Sequence, residues 1–314
     1  MKRTVLLCIV PFFLAACTEE LDKSVEFDAA VQPAQSHTVD AGGVIHATPG
    51  TQIVFDFSGD PDFISFSYEI FKATSPSLRF DSQLSWSADA DRTLQLFISD
   101  AFAGLSRTDA PADRAAIAGH AWVNLSPQCT FPTVQNGKER SVVTLDDFRG
   151  RTATIAFRYK TVNGAAIQPM WTVSDLQLVS TLIATGIEQS AVSASSMDFT
   201  PFDMLNLSPG DAPYLSGTAG GVWDTSTPAL LRIRQTFAGR DLNEDWLFSR
   251  PLEIPAGITT HSAGIAVKNT TASVSSYTHT FTETGEYVLT FIATNYNFKA
   301  HSELRKTFRM IINN

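Results

Sequence analysis

Clustered carboxylates are the first residues in this sequence whose type and spacing suit ligand binding. Asp60 and Asp62 form one Asp-x-Asp pair, and Asp89 and Asp91 form another. Because Ca²⁺ takes several oxygen ligands, both pairs are candidate calcium ligands. The same pattern is ordinary turn chemistry, since an aspartate side chain accepts hydrogen bonds from the backbone that follows it. We therefore expect no cofactor, with a structural calcium as the open alternative.

Aromatic residues in a loop-like segment suggest a second kind of site. Trp223 and Asp224 lie in the stretch GGVWDTS, and Tyr214 precedes them in a similar setting. Sugar-binding surfaces stack aromatic rings on C–H groups and pair planar amides or carboxylates with hydroxyls, and loops often carry such functions. These three residues are the predicted ligand contacts. Tryptophans in strand-like segments are instead expected in the core, namely Trp122, Trp171 and Trp246.

Motifs of known enzyme chemistry are missing from the sequence. It contains no GxSxG elbow, HExxH, P-loop or GxGxxG after a strand, and its six histidines lack metal-ligand spacing. Cys129 lies in SPQCTFP without a nearby histidine, which favours a packed thiol over a nucleophile. We expect a protein without catalytic activity. A glycan-active hydrolase stays open as the less favoured alternative, because its carboxylate pair is defined by distance in space.

The N-terminus predicts an exported, lipid-anchored protein. Lys2 and Arg3 precede an apolar run that is too short to span a bilayer, and the stretch LAAC ends at Cys17. This order resembles the lipobox of bacterial lipoproteins, which implies a signal peptide over 1–16 and an acylated Cys17. Residues 17–22 then form a tether to the membrane, and acyl chains would anchor it firmly.

Acidic residues follow the predicted lipidation site directly, in the stretch TEELD at 18–22. They resemble the export signal of Bacteroidetes-type lipoproteins, which implies the outer membrane and exposure at the cell surface. The alternative is an acidic tether without signal function. The net charge of −9, with scattered Lys and Arg, argues against nucleic acid as a partner.

Alternation of apolar and polar residues dominates the rest of the chain and predicts an all-β fold. Strand-like segments rich in Val, Ile, Thr and Phe recur between turns of Gly, Pro, Asp and Asn. The strongest are 51–57, 63–68, 93–99, 153–159 and 287–293. Residues 112–118 (ADRAAIA) are the best candidate for a short helix.

The C-terminal segment has the pattern of the last strands of a β-sandwich domain, but the first strands of such a domain do not directly precede it. The stretch TETGEYVLT around Gly285 resembles the end of PKD-type immunoglobulin-like sandwiches, and glycine there permits a tight turn. The matching beginning lies near the N-terminus. We therefore predict a discontinuous PKD-like sandwich of 23–73 plus 260–314, interrupted by a domain at 74–259. Three consecutive β-domains are the rival arrangement.

The inserted segment resembles the choice-of-anchor jelly rolls of bacterial surface proteins, with a galactose-binding-like fold. The stretches that carry this resemblance are LQLFISDAFAG, AWVNL, VVTLDDF, TIAFRY, WTVSDL and DWLFSRPLEI. With the split sandwich, they resemble a family of uncharacterised Bacteroidetes surface lipoproteins. Members accompany SusC/SusD-type importers, which implies glycan or nutrient binding for uptake. A structural or adhesive surface module is the alternative.

Overall fold

The computed structural model describes residues 24–89, 92–162, 164, 167–205, 212–235, 242–296 and 301–313. Strands are the dominant regular element among these residues and helices are few, so the predicted all-β class is confirmed. The predicted signal peptide 1–16 and the tether 17–22 with Cys17 lie outside the described residues.

Twenty-one strands and one α-helix occur among the described residues, and their bounds in chain order are as follows. They are β1 Phe27–Val31, β2 His37–Val39, β3 Ile45–Ala47, β4 Thr51–Gly59, β5 Phe63–Ser85, β6 Leu94–Ser99, α1 Ala110–Gly119, β7 Val123–Asn124, β8 Lys138–Thr144, β9 Thr152–Lys160, β10 Met170–Leu182, β11 Glu188–Ser193, β12 Thr200–Asp203, β13 Trp223–Asp224, β14 Leu230–Ile233, β15 Glu244–Phe248, β16 Leu252–Glu253, β17 Gly257–His261, β18 Ile265–Lys268, β19 Ser276–Phe281, β20 Gly285–Tyr296 and β21 His301–Ile312.

The chain forms two compact units. Unit 1 combines the residues up to Phe71 with those from Thr259 onward, and unit 2 comprises Lys72–Ile258. The long strand β5 therefore begins in unit 1 and ends in unit 2.

Unit 1 is built from two sheets whose strands come from both ends of the chain. One sheet has the order β1-β4-β19, and in the other the first part of β5 pairs with β20, followed by β21, β3 and β2. Alternate residues of these strands are buried, and the rings of Phe55, Phe66 and Phe291 meet at the centre. The Phe66 and Phe291 centroids lie 4.8 Å apart. This aromatic core is the apolar layer that holds the two sheets of unit 1 together.

Unit 2 is a second sandwich. In its first sheet, β10 and β8 flank the later part of β5, and β14 and β11 pair with β10. Its second sheet is six-stranded, with the order β12-β15-β9-β6-β7 and β16 paired to β9. The inner core between them includes Phe80 and Phe157, whose rings meet edge to face at 5.4 Å.

Helix α1 covers part of the other, outer face of the six-stranded sheet. Asp109 caps its N-terminus by accepting the amide of Ala112, and a proline lies in its first turn. Ile117 is its apolar anchor and packs with a cluster that contains Phe97, Trp246 and Phe248. The helix predicted at 112–118 is thereby confirmed. The described part of the chain holds no helix of the length and hydropathy needed to cross a membrane.

Candidate functional site

The register of the six-stranded sheet places planar side chains side by side on its outer face. Directly opposite residues of antiparallel strands share a face, so Gln95, Arg158 and Trp246 form one row across β6, β9 and β15. Phe97 and Phe248 form the neighbouring row, with Ala156 between them. The small Ala156 leaves room for the rings on either side.

Aromatic rings continue from this sheet into the segment around helix α1. The centroid of Trp122 lies 5.4 Å from that of Trp246 and 4.8 Å from that of Phe102. Trp122 donates its indole N–H to the backbone oxygen of Ile117, which fixes the ring relative to the helix. Trp246 and Phe248 are buried, whereas Trp122 and Phe102 are partly exposed. Trp122 and Phe102 therefore form a partly solvent-exposed aromatic surface that packs on the buried rings of Trp246 and Phe248.

Charged and amide side chains lie beside these rings. The guanidinium of Arg158 lies over the rings of Phe97 and Trp246, at 5.0 and 5.4 Å from their centroids, and donates to the side-chain oxygen of Gln95. On the next row, Lys160 contacts Glu244 at 2.7 Å. We define the outer-face cluster as the set of residues just described. It comprises Gln95, Phe97, Phe102, Trp122, Arg158, Lys160, Glu244, Trp246 and Phe248.

The electrostatics of the outer-face cluster hold its polar groups in fixed positions. Burial lowers the pKa of Arg158, and the negative charge of Glu244 opposes this shift. The guanidinium stays protonated at neutral pH, since arginine does not lose its proton in proteins. The guanidinium can donate hydrogen bonds to the hydroxyl groups of a ligand, and the amide and carboxylate oxygens can accept hydrogen bonds from them. The partly exposed indole can at the same time stack on the C–H groups of that ligand.

The structure corrects the expectation that Trp223 is exposed on a loop. Its side chain is fully buried, and its indole N–H points to the backbone oxygen of Asp245 at 3.5 Å. Trp223 begins the short strand β13, which pairs with β14, so the segment that reads as a loop completes the inner core. A ring in this position cannot present a face to a ligand.

Asp224 lies next to Trp223 and is occupied in a local turn. Its carboxylate accepts hydrogen bonds from the amide and the hydroxyl of Ser226. The hydroxyl bond is the main cause that lowers the pKa of Asp224. This is the turn chemistry that aspartate commonly provides.

Tyr214 belongs to the outer-face side of the six-stranded sheet and is separated from Trp223 by the sheet itself. Its hydroxyl donates to the buried carboxylate of Asp113, and burial followed by this contact raises the pKa of Tyr214 to about 12. Tyr214 also lines a cavity of about 350 Å³ together with Arg107 and Asp198. The predicted pair of Tyr214 and Trp223 is thus not brought together.

The candidate calcium ligands are placed in ordinary turns. Asp60 forms an ion pair with Lys268, and Asp62 accepts the amide of Tyr296. Both oxygens of Asp89 accept the amide of Thr93. Asp91 lies outside the described residues. Within the ranges that the structure describes, no three His, Cys, Asp or Glu side chains are grouped to hold a metal ion.

Cys129 packs on the inner core as a partly buried thiol. Burial raises the pKa of Cys129 to about 12, so almost no thiolate exists at neutral pH. Since the thiolate is the nucleophile, this agrees with the interpretation of Cys129 as a packing residue.

A larger cavity of about 700 Å³ occurs elsewhere in unit 2, lined by Arg151, Arg250, Glu253 and the neighbouring backbone. Its described lining has no aromatic ring, so it lacks the stacking surface that sugar binding uses.

Sequence reasoning missed Arg158, Lys160 and Glu244. A signal for them exists, because Arg158 and Lys160 alternate with core residues in TATIAFRYK and therefore share one face. Glu244 and Trp246 alternate in EDWLF in the same way. The sequence does not show that the side chains of Arg158 and Glu244 lie on the same face of the sheet, because this depends on the pairing of β9 with β15.

Comparison with known families gives a match over more than half of the chain. A family model described as a domain of unknown function (DUF5017) matches residues 16–197, which include Gln95, Trp122, Arg158 and Lys160. No curated protein and no solved structure showed a significant match to the chain.

Proposed function

We propose that this chain, which belongs to the DUF5017 family of domains of unknown function, is a non-catalytic lipoprotein that binds glycan through its outer-face cluster. The observation that carries the proposal is that the partly exposed indole of Trp122 and the fixed guanidinium of Arg158 both pack on the buried ring of Trp246. A pyranose ring can stack its C–H groups on the indole and can form hydrogen bonds between its hydroxyl groups and planar side chains.

The geometry of the polar residues supports binding of hydroxyl groups. Arg158 is held by Gln95 and by the rings beneath it, so a ligand would not need to order this long side chain. Preorganisation of this kind lowers the entropic cost of binding. Lys160 is exposed and Glu244 partly so, which leaves donors and acceptors at the edge of the face.

The absence of catalysis belongs to the proposal and follows from the composition of the cluster. Glycoside hydrolysis by the common mechanisms needs two carboxyl groups that flank the scissile bond. Among the residues that define the outer-face cluster, Glu244 is the single carboxylate, and Lys160 and Arg158 neutralise it.

Location and partners are proposed from the sequence. The LAAC stretch supports acylation at Cys17, and the acidic residues after it support display on the outer membrane. We propose that the protein works beside a SusC/SusD-type importer of Bacteroidetes, with no nucleic-acid partner. We further propose a PKD-like fold for unit 1 and a galactose-binding-like jelly roll for unit 2. Pairing of strands from both chain ends within unit 1 supports the first assignment.

The test is affinity gel electrophoresis of residues 18–314 against a panel of polysaccharides. We expect at least one polysaccharide to retard the protein and Trp122→Ala to weaken that binding about tenfold or more, as removal of a central tryptophan does in other interfaces. Trp86→Ala is the matched control, because Trp86 is exposed but lies outside the cluster.

Two results would overturn the proposal. Either no polysaccharide retards the wild-type protein, which favours a structural or adhesive module, or Trp122→Ala binds as tightly as wild type. Loss of binding in Trp86→Ala alone would indicate that the ligand binds near Trp86 and not at the outer-face cluster.

A further inference from the structure

Positively charged side chains gather on the outer face of the six-stranded sheet, although the whole chain carries a net charge of −9. Lys160 and Arg158 lie two residues apart on β9 and therefore share a face, roughly 7 Å apart along the strand. Arg158 lies opposite Trp246 of β15, and Phe202 of β12 lies opposite Trp246 on its other side. The guanidinium of Arg114 from helix α1 lies over the Phe202 ring, 5.6 Å from its centroid. Three cationic groups thus lie in or beside one row of aromatic rings.

Two carboxylates on this side of the sheet are held by donors from the protein itself. Glu244 contacts the ammonium of Lys160 at 2.7 Å and accepts the indole N–H of Trp246 at 3.4 Å. Asp113 of helix α1 is buried and accepts two backbone amides of the preceding loop. The negative charges of these two groups are therefore compensated within the protein.

The cations reach solvent more than the carboxylate beside them does. The side chain of Lys160 is 46% exposed and that of Arg158 is 24% exposed, whereas that of Glu244 is 16% exposed. An ammonium carries three N–H donors, and the contact with Glu244 uses one of them. Two cations beside one carboxylate leave an excess of one positive charge in this part of the face. An anionic group on a ligand completes this charge balance.

We propose that the outer-face cluster selects acidic glycans, in which a sugar ring carries a carboxylate. This inference rests on the glycan-binding function proposed above and names the ligand class of the same site. Nε and Nη2 of Arg158 donate to Gln95, whereas Nη1 lies 3.8 Å from Glu244, the partner of Lys160. The ligand carboxylate binds at Lys160 and at this Nη1 group, while another ring of the glycan stacks on Trp122. Charge-assisted hydrogen bonds are roughly twice as strong as neutral ones, so the carboxylate adds affinity that a neutral sugar lacks.

The net negative charge of the chain is a weaker influence than these neighbouring cations. Interactions between exposed charges are largely screened beyond about 8 Å at physiological ionic strength. The ligand carboxylate therefore responds mainly to the charges of the outer-face cluster, where the cations are in excess.

Isothermal titration calorimetry of residues 18–314 against matched pairs of polysaccharides tests this inference. Each pair consists of an acidic polysaccharide (polygalacturonate, alginate or hyaluronan) and its methyl ester, which keeps the sugar backbone without the charge. We expect at least one acidic member to bind about tenfold more tightly than its ester. If esters or neutral polysaccharides bind and no acidic member binds more tightly than its ester, the selectivity is overturned and the glycan-binding function stands. If no polysaccharide binds, both are overturned.

Two substitutions with opposite expected effects assign the selectivity to the charged residues. Lys160→Gln removes a cation and should lower the ratio of acid to ester affinity about tenfold, whereas Glu244→Gln removes the like charge and should raise that ratio. Both ligands are measured on one protein preparation, so partial unfolding cancels in the ratio. Lys138→Gln is the matched control and should leave the ratio unchanged, because Lys138 also pairs with a carboxylate, that of Asp81, but lies in the other sheet of unit 2. An unchanged ratio in Lys160→Gln, or a fall in both cluster variants, would overturn the proposal.

Discussion

The ring of Trp122 lies 5.4 Å from the ring of Trp246, with the two planes inclined by 36°. Trp246 is almost completely buried, and the guanidinium of Arg158 lies over the same ring. The buried indole thus connects the partly exposed Trp122 with the fixed Arg158.

Arg158→Lys tests whether the planar guanidinium itself contacts the ligand. Lysine keeps the positive charge but loses the fork geometry and the stacking on aromatic rings. We expect binding to the retained polysaccharide to weaken by about tenfold, with a loss of about 1 kcal/mol in the free energy of unfolding from the broken bond to Gln95. Affinity electrophoresis and urea unfolding measure the two effects.

The matched control for that substitution is Arg305→Lys, because Arg305 is exposed in unit 1 and pairs with Glu303. It should leave both binding and stability unchanged. Wild-type affinity in Arg158→Lys would show that the ligand does not use the guanidinium.

Gly285→Ala should destabilise unit 1. Gly285 has a φ of 149°, and a Cβ there would lie 2.7 Å from the backbone oxygen of Phe71. Strain and overlap together predict a loss of about 1–3 kcal/mol in the free energy of unfolding. Gly264→Ala is the control, since its Cβ would meet nothing within 4 Å.

The readout can separate the two units, because all five tryptophans lie between residues 86 and 246 and therefore in unit 2. We expect Gly285→Ala to shift the unfolding transition followed by circular dichroism and to leave the tryptophan fluorescence transition in place. A common shift of both signals would contradict independent unfolding of unit 1.

The sequence was sufficient to predict the fold class and several core residues. Alternation of apolar residues predicted the strands at 51–57 and 153–159. Trp171 and Trp246 are buried as expected from their strand-like surroundings, whereas Trp122, expected in the core for the same reason, is partly exposed. The partners of each strand could not be predicted. The two-residue periodicity of a strand shows which of its residues share a face. It does not show which other strand pairs with it.

The candidate site was harder to predict for the same reason. The loop-like stretch GGVWDTS predicts an exposed Trp223, yet a two-residue strand is enough to place its ring in the core. Arg158 and Glu244 come together only through the pairing of β9 with β15. Chain segments far apart in sequence thus create the site, and single motifs do not contain it.

The C-terminal segment 259–314 expressed alone should remain unfolded. Its strands β19 and β20 pair with β4 and the first part of β5, and Phe291 packs on Phe55 and Phe66 from those strands. Half of a sandwich leaves its core and edges exposed. Circular dichroism and NMR dispersion measure the outcome, and a dispersed spectrum of the fragment would contradict it.

A joined version of unit 1 provides the positive control for the fragment. The amide of Ser262 donates to the backbone oxygen of Tyr68 at 2.8 Å, so the chain leaves and re-enters unit 1 at neighbouring points. A short Gly-Ser linker between residues 71 and 259 should therefore yield a folded protein of residues 24–71 and 259–314.

The stability of unit 2 should fall as pH rises above the ordinary aspartate pKa of 3.8, and Asp245 should be the cause. Burial raises the pKa of Asp245 well above its ordinary value of 3.8, and the neighbouring Asp203 raises it further. The folded protein therefore holds a proton that the unfolded chain has already lost, and unfolding in this window releases it. Stability is fully present below the unfolded pKa and is lost as pH rises through the folded pKa, by at most about 1.4 kcal/mol per pH unit.

Tryptophan fluorescence during urea unfolding between pH 5 and 8 measures this slope. Asp245→Asn should lack it, because asparagine does not titrate, whereas Asp224→Asn should keep it, since the pKa of Asp224 is lowered and its carboxylate is ionised throughout this range. Equal slopes in wild type and Asp245→Asn would show that other groups govern the pH dependence of unit 2.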